Sequence, residues 1–309
     1  MIQSIAILGS GALGLYYGGR FALAGRDVRF LARGDLAELR ERGIVLGYAG
    51  ERHAVKPVRA MASPGEIGPV DLVVVGLKAT ANAELARLLP PLLGPDTAVV
   101  NLQNGLGVDE AVAEVAGAER TLGALCFVAV NRVAPGEVAC SQQGHVELGE
   151  FGRAAGPRTH AVAEVFASAG VKIRVRDSLL AARWHKLVWN VPFNGLSVAL
   201  GGVTSDETLR DSAGEARVRA LMHEVQAIAR AEGVEIADDF LRGQIELTRT
   251  MRYKPSTMLD WQAGRPLELE PIWGEPLRRA RRLGVPAPEL ERLHRELIAR
   301  AAEGPARSA

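Results

Sequence analysis

Short apolar runs alternate with amphipathic segments through the first half of the chain. Continuous apolar runs of this length are typical of buried parallel strands, and the segments between them have the period of helices. This alternation predicts an α/β fold with a Rossmann-type, doubly wound sheet. The predicted strands are Ile2–Leu8, Asp27–Arg33, Val70–Leu77, Thr97–Leu102 and Val171–Val175, and the predicted helices are Leu15–Gly25, Ala79–Leu89, Val108–Val115 and Thr159–Ser168.

The pattern changes twice further along the chain. Leu122–Val130 and Glu137–Leu148 are longer β-rich runs separated by Pro135-Gly136, so we expect antiparallel strands added at the edge of the sheet. After about Arg176 the apolar residues follow a helical period. The predicted helices there are Ser178–Leu200 (interrupted at Pro192 and Gly195), Glu215–Glu232, Ala237–Arg252, Ile272–Leu283 and Pro288–Ala301. We therefore expect a Rossmann-type domain at residues 1–177 and an all-helical C-terminal domain at residues 178–309.

The glycine-rich turn Gly9-Ser10-Gly11-Ala12-Leu13-Gly14 lies between the first predicted strand and the first predicted helix. In this context GxGxxG indicates a site for a dinucleotide pyrophosphate. Gly9 permits the tight turn, Gly11 lets the backbone approach phosphate, and Gly14 lets the helix pack close to the strand. The N-terminus of the helix offers N–H groups and a partial positive charge to the anion. The alternative is an ordinary βα turn with glycines by chance.

The second predicted strand indicates which dinucleotide binds. An NAD site has an acidic residue at the end of this strand, where it holds the ribose hydroxyls. Arg33 occupies that end and would attract the 2′-phosphate of NADP instead. Asp35 is a rival, but Asp35-Leu36-Ala37-Glu38 has the form of a helix capping box. We therefore expect the first domain to bind NADP, and the alternative is that Arg33 is a solvated surface residue.

Composition excludes several classes of protein. The chain has 309 residues, of which 48% are hydrophobic, and a net charge of +1, so we expect a globular protein without the basic surface that nucleic acids require. Arg278, Arg279, Arg281 and Arg282 are expected on a solvated helix face. The chain begins without a signal sequence and has no membrane-length apolar run, which predicts a cytoplasmic protein without a membrane partner.

Cysteine and histidine usage gives two further expectations. Cys126 and Cys140 have no metal-type spacing, which indicates a reducing compartment, and both fall in apolar runs and are expected to be buried. The six histidines are dispersed, so we expect no metal site.

Two segments at predicted strand ends carry candidate ligand-binding side chains. In open α/β sheets, ligands bind outside the carboxyl ends of the strands. Lys78 follows one strand and could reach cofactor phosphate or a substrate carboxylate, or else be a solvated lysine at a helix start. Gln103-Asn104-Gly105-Leu106-Gly107 follows the next strand, and Asn104 could donate to a carbonyl oxygen or hold a nicotinamide. A plain turn is the alternative there.

A third segment places polar residues within a very apolar helix. Lys186, Asn190 and Asn194 are spaced i, i+4, i+8, so they share one stripe of the helix. Burying a lysine and two amides costs several kcal/mol unless they are paired, which favours a functional stripe over one that faces solvent. Lys186 is the candidate proton donor to a carbonyl oxygen that receives hydride. The adjacent His185 points to another side of the helix, and we interpret it as structural.

Together these motifs resemble the ketopantoate reductase (2-dehydropantoate 2-reductase) family. The resemblance rests on GSGALG, the arginine after the second strand, LK, QNGLG and W-x-K-L-x-x-N-x-x-x-N, and extends to a late Ser-x-x-x-Asp…Glu segment that runs from Ser256 to Glu268. The chain departs from the family at Gly195, where proline is frequent, and at Thr257, where an apolar residue is usual. The first departure leaves the local helix geometry open, and neither removes a functional group.

The resemblance implies NADPH-dependent reduction of ketopantoate to pantoate, a step towards pantothenate and coenzyme A. It implies that Lys186 is the catalytic lysine, that Glu268 is an active-site carboxylate and that Ser256 contacts substrate. Asn104, Asn190 and Asn194 match active-site amides, and Arg33 and Lys78 match cofactor contacts. Glu270 is close enough to Glu268 in sequence to be confused with it.

Two alternatives to this function remain at the level of sequence. One is a related NADP-dependent hydroxyacid dehydrogenase with another 2-oxo acid substrate. The other is a non-catalytic NADPH-binding redox sensor, although a sensor has no need of a proton donor. The helical domain could also supply an isologous homodimer face.

Overall fold

The computed structural model describes residues 2–305 as a mixed sheet followed by helices. The strands are β1 (Ser4–Leu8), β2 (Asp27–Leu31), β3 (Ile44–Tyr48), β4 (Glu51–Val55), β5 (Arg59–Met61), β6 (Val70–Val75), β7 (Leu93–Asn101), β8 (Thr121–Ala134), β9 (Glu137–Glu150) and β10 (Ile173–Val175). The helices are α1 (Ala12–Leu23), α2 (Leu36–Glu41), α3 (Pro64–Ile67), α4 (Leu85–Leu88), α5 (Val108–Ala116), α6 (Pro157–Ser168), α7 (Leu179–Ala199), α8 (Ser212–Ala231), α9 (Asp238–Arg249), α10 (Ser256–Gln262), α11 (Glu275–Leu283) and α12 (Pro288–Glu303).

The sheet has ten strands in the order β4-β3-β9-β8-β7-β6-β1-β2-β5, with β10 paired to β9. Strands β5, β2, β1, β6, β7 and β8 form a continuous parallel set. Apolar side chains alternate between two cores on opposite faces, with Ile5 and Ile7 in one and Ala6 and Leu8 in the other. This burial on both faces explains the unbroken apolar runs and confirms the predicted Rossmann-type sheet.

The long antiparallel hairpin β8–β9 was expected at the sheet edge, and this is wrong. Strand β9 pairs with β3 as well as with β8, and the short hairpin β3–β4 forms that edge. Strands β3, β4 and β5 were not predicted from the sequence. Edge strand β4 is mostly exposed and carries Glu51 and Arg52, so it lacks the apolar run by which the central strands were recognised.

The chain divides into two compact units, one of residues 1–103 and 108–179 and the other of residues 104–107 and 180–309. The second unit is helical and has its own apolar core. Helix α7 runs without interruption through Pro192 and Gly195, where a break was expected. The helix expected at Ile272 starts earlier, as a π-helical turn over Glu270–Gly274, and α10 was not predicted.

Two expectations about individual surface or core residues are wrong. Arg279, expected on a solvated face, is 7% exposed and pairs with Glu232 at 2.9 Å and with Glu275 at 2.8 Å. Cys140 is half-buried, whereas Cys126 is buried as expected. Within residues 2–305, no helix has the length and apolar character needed to cross a membrane.

Candidate active site

The glycine-rich turn joins β1 to α1 and packs against the end of β6. Gly9 has φ = +111°, and a Cβ there would lie 2.8 Å from Leu77 N. A Cβ on Gly14 would lie 2.0 Å from Gly9 O, and one on Gly76 would lie 3.2 Å from Gly14 Cα. These glycines are therefore required by the packing of the turn itself. Gly76 was missed because its partner lies more than sixty residues away in sequence.

Gly11 differs from these glycines. A Cβ on Gly11 would meet a single atom within 4 Å, Gly76 O at 3.7 Å, and Gly11 has an extended conformation. The chain itself would accommodate a side chain at this position. The open space above Gly11, at the start of α1, fits the close approach of a pyrophosphate to the backbone.

Two cationic side chains lie at the same edge of the sheet as this turn. Strands β2 and β6 flank β1 and run parallel to it, so Arg33, after β2, and Lys78, after β6, lie at the carboxyl edge. Both are exposed. The pKa of the Glu84 carboxyl is held below its usual range, chiefly by a hydrogen bond from Arg87 (2.6 Å), and the charge of Arg33 contributes.

Asp35 does not compete for this site. It occupies the N-cap position of α2, but its side chain makes no capping hydrogen bond, so the predicted capping box is wrong. The carboxylate is 5% exposed and pairs with Arg132 on β8. This partner is distant in sequence, which is why the local pattern was misleading.

The segment that follows β7 is fixed by polar groups at its start. Asn101 is fully buried; its amide donates to Asp109 Oδ1 (2.9 Å) and accepts from Gln103 N (3.1 Å). Gln103 in turn donates to Asn82 Oδ1 at 2.6 Å. Asn101 was missed by the sequence analysis, although an asparagine at the end of an apolar strand was a usable signal. Residues 104–107 then belong to the helical unit.

Lys186 and Asn104 meet within the helical unit. Lys186 Nζ donates to Asn104 Oδ1 at 2.8 Å, and both side chains are partly buried. The amide oxygen accepts from the Lys186 side chain and orients it, and carries no charge of its own. Both residues are predicted site residues on separate segments of the sequence, and the structure brings them together.

Asn190 and Asn194 continue the stripe along α7 at 7% and 4% exposure. Neither side-chain amide makes a hydrogen bond to any other residue among 2–305. Neither amide is among the fully enclosed, unpaired polar groups of the described residues, so both keep slight access to solvent. Most polar groups this far buried in proteins are nevertheless hydrogen-bonded within the chain. Their donors and acceptors therefore suit a polar ligand beside Lys186.

The segment with Ser256 and Glu268 comprises α10 and the irregular stretch that leads to the π-helical turn. Ser256 is exposed and begins α10, and Glu268 is half-buried in the irregular segment that precedes the π-helical turn. Glu270 is a separate case, since it is exposed and pairs with Arg278. The structure thus distinguishes Glu268 from Glu270 by burial.

His185 has contacts of a structural kind. Its Nδ1 lies 2.8 Å from Ala181 O, one turn back on α7, and its ring packs edge-on against Phe240. Throughout residues 2–305, no group of three or more His, Cys, Asp or Glu side chains is arranged to hold a metal ion.

The parallel sheet with its glycine turn, and the helical unit with a lysine–amide contact, define the class of Rossmann-type oxidoreductases with a helical C-terminal domain. Models of protein families assign the chain to the same class. The model described as "Ketopantoate reductase PanE/ApbA" matches residues 5–153, and the one described as "Ketopantoate reductase PanE/ApbA C terminal" matches residues 178–301.

Individual relatives agree with these matches. A curated 2-dehydropantoate 2-reductase of Nostoc sp. is 38% identical, covering 96% of this chain and 94% of the relative. Crystal structures of 2-dehydropantoate 2-reductases from Geobacter metallireducens and Methylococcus capsulatus are 41% and 31% identical, with TM-scores of 0.92 and 0.89. The match to the Geobacter enzyme covers 96% of this chain and 99% of that enzyme, and the match to the Methylococcus enzyme covers 97% of each. The chain belongs to the ketopantoate reductase family.

The unpartnered amide of Asn194 leads to a stability prediction. Asn194→Leu should raise the melting temperature by the equivalent of up to about 1 kcal/mol, because leucine has a similar shape and replaces a largely buried amide that has no hydrogen-bond partner in the described chain. The matched control is Asn101→Leu, which should destabilise by about 1–3 kcal/mol because it removes the buried hydrogen bonds to Asp109 Oδ1 and from the Gln103 N–H. Thermal unfolding of both variants without ligand checks this. Destabilisation by both substitutions to the same extent would show that Asn194 is satisfied within the folded chain.

Proposed function

We propose that this protein reduces 2-dehydropantoate to pantoate with NADPH, a step towards pantothenate and coenzyme A. Membership of the ketopantoate reductase family supports the reaction class. The observation that carries the proposal is the ammonium of Lys186 held by Asn104 at 2.8 Å, on a helix whose next two stripe residues are buried amides without partners. A proton donor beside unsatisfied amides suits a polar ketone that accepts hydride.

The residues of the first unit fit NADP. The space above Gly11 would admit the pyrophosphate, and Arg33 and Lys78 would supply positive charge to phosphate groups. Asp35, the nearby acidic candidate for the ribose diol, is paired with Arg132. When bound, the reduced nicotinamide supplies the hydride.

The residues of the helical unit would bind and protonate the substrate. Lys186 would donate a hydrogen bond and then a proton to the carbonyl oxygen as charge develops there. Asn104 would keep the ammonium directed, and Asn190 and Asn194 would bind polar groups of the substrate. We assign Glu268 to a substrate hydroxyl or to balancing the lysine charge, and Ser256 to a short polar contact with the substrate.

Following NADPH absorbance with 2-dehydropantoate and with a panel of other 2-oxo acids tests the function. We expect the highest kcat/KM for 2-dehydropantoate. A higher value for another 2-oxo acid would identify a hydroxyacid dehydrogenase of different specificity. Binding of NADPH without turnover of any member of the panel would identify a sensor instead.

Removing the proposed proton donor should abolish most of the turnover. Lys186→Ala is expected to lower kcat on the order of 100-fold or more, because general acid catalysis contributes about that much. His185→Gln is the matched control, since it changes the neighbouring residue on the same helix, and its kcat should stay within a few-fold of wild type. An unchanged kcat in Lys186→Ala would remove this lysine from the mechanism.

Removing the charge of Arg33 should change cofactor preference. Arg33→Ala is expected to lower kcat/KM for NADPH by about 10–100-fold, the value of a hydrogen bond to a charged group, with little effect on NADH. Arg42→Ala removes an equal charge from an exposed residue that pairs with Glu38 and should leave the preference unchanged. Equal losses with both cofactors in Arg33→Ala would show that Arg33 does not bind the 2′-phosphate.

A further inference from the structure

The π-helical turn Glu270–Gly274 contacts both segments that carry the Lys186–Asn104 hydrogen bond. On one side, Pro271 O accepts from Leu106 N at 2.8 Å. On the other side, Trp273 Nε1 donates to Val191 O of α7 at 3.0 Å. Single π-helical turns occur frequently at functional sites. Here the turn is the structural element that the loop and the helix share.

The loop side of this contact is tight. Gly105 has φ = +92°, and a Cβ on it would lie 2.3 Å from Pro271 O, so the loop backbone lies directly on the turn. Leu106 is 4% exposed and packs into the core of the helical unit. Asn104 is therefore anchored by the two residues that follow it.

The helix side is braced where α7 is weakest. Pro192 has no N–H to donate to the carbonyl four residues earlier, and its ring crowds that carbonyl. The turn that lacks this bond runs from Val188 to Pro192 and contains Asn190. Trp273 is fully buried, and its indole donates to the carbonyl of Val191 within this turn.

Gly195 is what allows the indole to reach this position. A Cβ on Gly195 would lie 3.0 Å from Trp273 Nε1 and 2.7 Å from Leu293 Cδ2. The glycine is thus required by the contact with Trp273 and Leu293 rather than by its own backbone conformation, which is helical.

We propose that Trp273 is a positioning residue for the reduction, which holds the Lys186–Asn190–Asn194 stripe in register with Asn104 through the carbonyl of Val191. This inference rests on the proposed role of Lys186 as proton donor. Trp273 itself touches neither substrate nor cofactor in this proposal. Its effect is on the alignment of the donor, so loss of the hydrogen bond should appear in kcat rather than in cofactor binding.

Trp273→Phe tests the proposal by removing the indole N–H while keeping an aromatic side chain. We expect kcat with 2-dehydropantoate to fall about tenfold, the upper value of one net hydrogen bond, with the Kd of NADPH unchanged. Trp261→Phe is the matched control. Its indole also donates to a backbone carbonyl, that of Arg300 at 3.0 Å, and it is 6% exposed, but it does not contact α7 through this bond. Its kcat should stay within twofold of wild type.

A second variant reaches the same contact from the other side. Gly195→Ala keeps the indole but places a methyl group against it, so kcat should fall as in Trp273→Phe although alanine favours the helix. Hydrogen exchange gives a readout that needs no turnover. Peptides covering residues 104–107 and 186–197 should exchange faster in Trp273→Phe and Gly195→Ala, and at the wild-type rate in Trp261→Phe.

The outcomes separate this inference from the proposed function. If wild-type protein reduces another 2-oxo acid instead, the kcat comparison is made with that substrate. If it reduces none, the proposed function is wrong, and hydrogen exchange alone decides whether Trp273 holds the two segments. The proposal is overturned if Trp273→Phe and Trp261→Phe have the same kcat, if the loss lies only in the Kd of NADPH, or if exchange in the two segments does not change.

Discussion

The hydrogen bond from Lys186 to Asn104 is the interaction on which the candidate site in the helical unit depends. It joins α7 to a loop 82 residues earlier in the chain. A neutral amide is suited to this task, since it orients the lysine side chain in a partly buried position without adding a charge. Each partner is then fixed separately: Asn104 by Gly105 and Leu106 on the π-helical turn, and the helix by its apolar faces. The contact is therefore a product of tertiary packing, and neither segment could hold it alone.

Helix α7 carries both apolar residues that stabilise the helical unit and polar residues whose burial destabilises it. Trp184, Leu187, Val188 and Val191 of this helix are fully or almost fully buried and stabilise the unit, whereas the amides of Asn190 and Asn194 are buried without hydrogen bonds among the described residues. A fully enclosed amide without a hydrogen bond costs on the order of 1–3 kcal/mol in protein mutational data, and these two amides, which keep slight access to solvent, cost less than that. The apolar contacts of a 21-residue helix offset such a cost. A ligand that pairs with the amides would recover part of it, which makes the same groups a source of binding free energy.

Sequence patterns predicted those features that depend on nearby residues. The strand and helix on either side of the glycine-rich turn and the helical period of α7 are local, and all were found. Strand β4 was not found, because this exposed edge strand mixes charged with apolar residues. Strand β3 is apolar but only five residues long, and its place in the sheet depends on pairing with β9, far away in sequence. Long-range partners were also beyond reach. The ion pair of Asp35 with Arg132 and the contact of Gly76 with Gly14 join segments whose proximity no periodicity encodes.

Some residue types are required by the packing of the chain, and others are not. This difference separates groups that maintain the fold from groups that are available to bind a ligand. Gly9 and Gly14 have no room for a side chain, and the fully buried Asn101 has its hydrogen bonds supplied by the chain, so the packing alone accounts for all three. Gly11 has room, and Asn190 and Asn194 lack partners, so packing accounts for none of these. At these positions the chain has a residue type that is destabilising or unusual and that the packing does not explain. Such a residue indicates that a group outside the chain completes its surroundings. By this criterion the glycine turn and the α7 stripe are the two places where a cofactor and a substrate would each complete the structure.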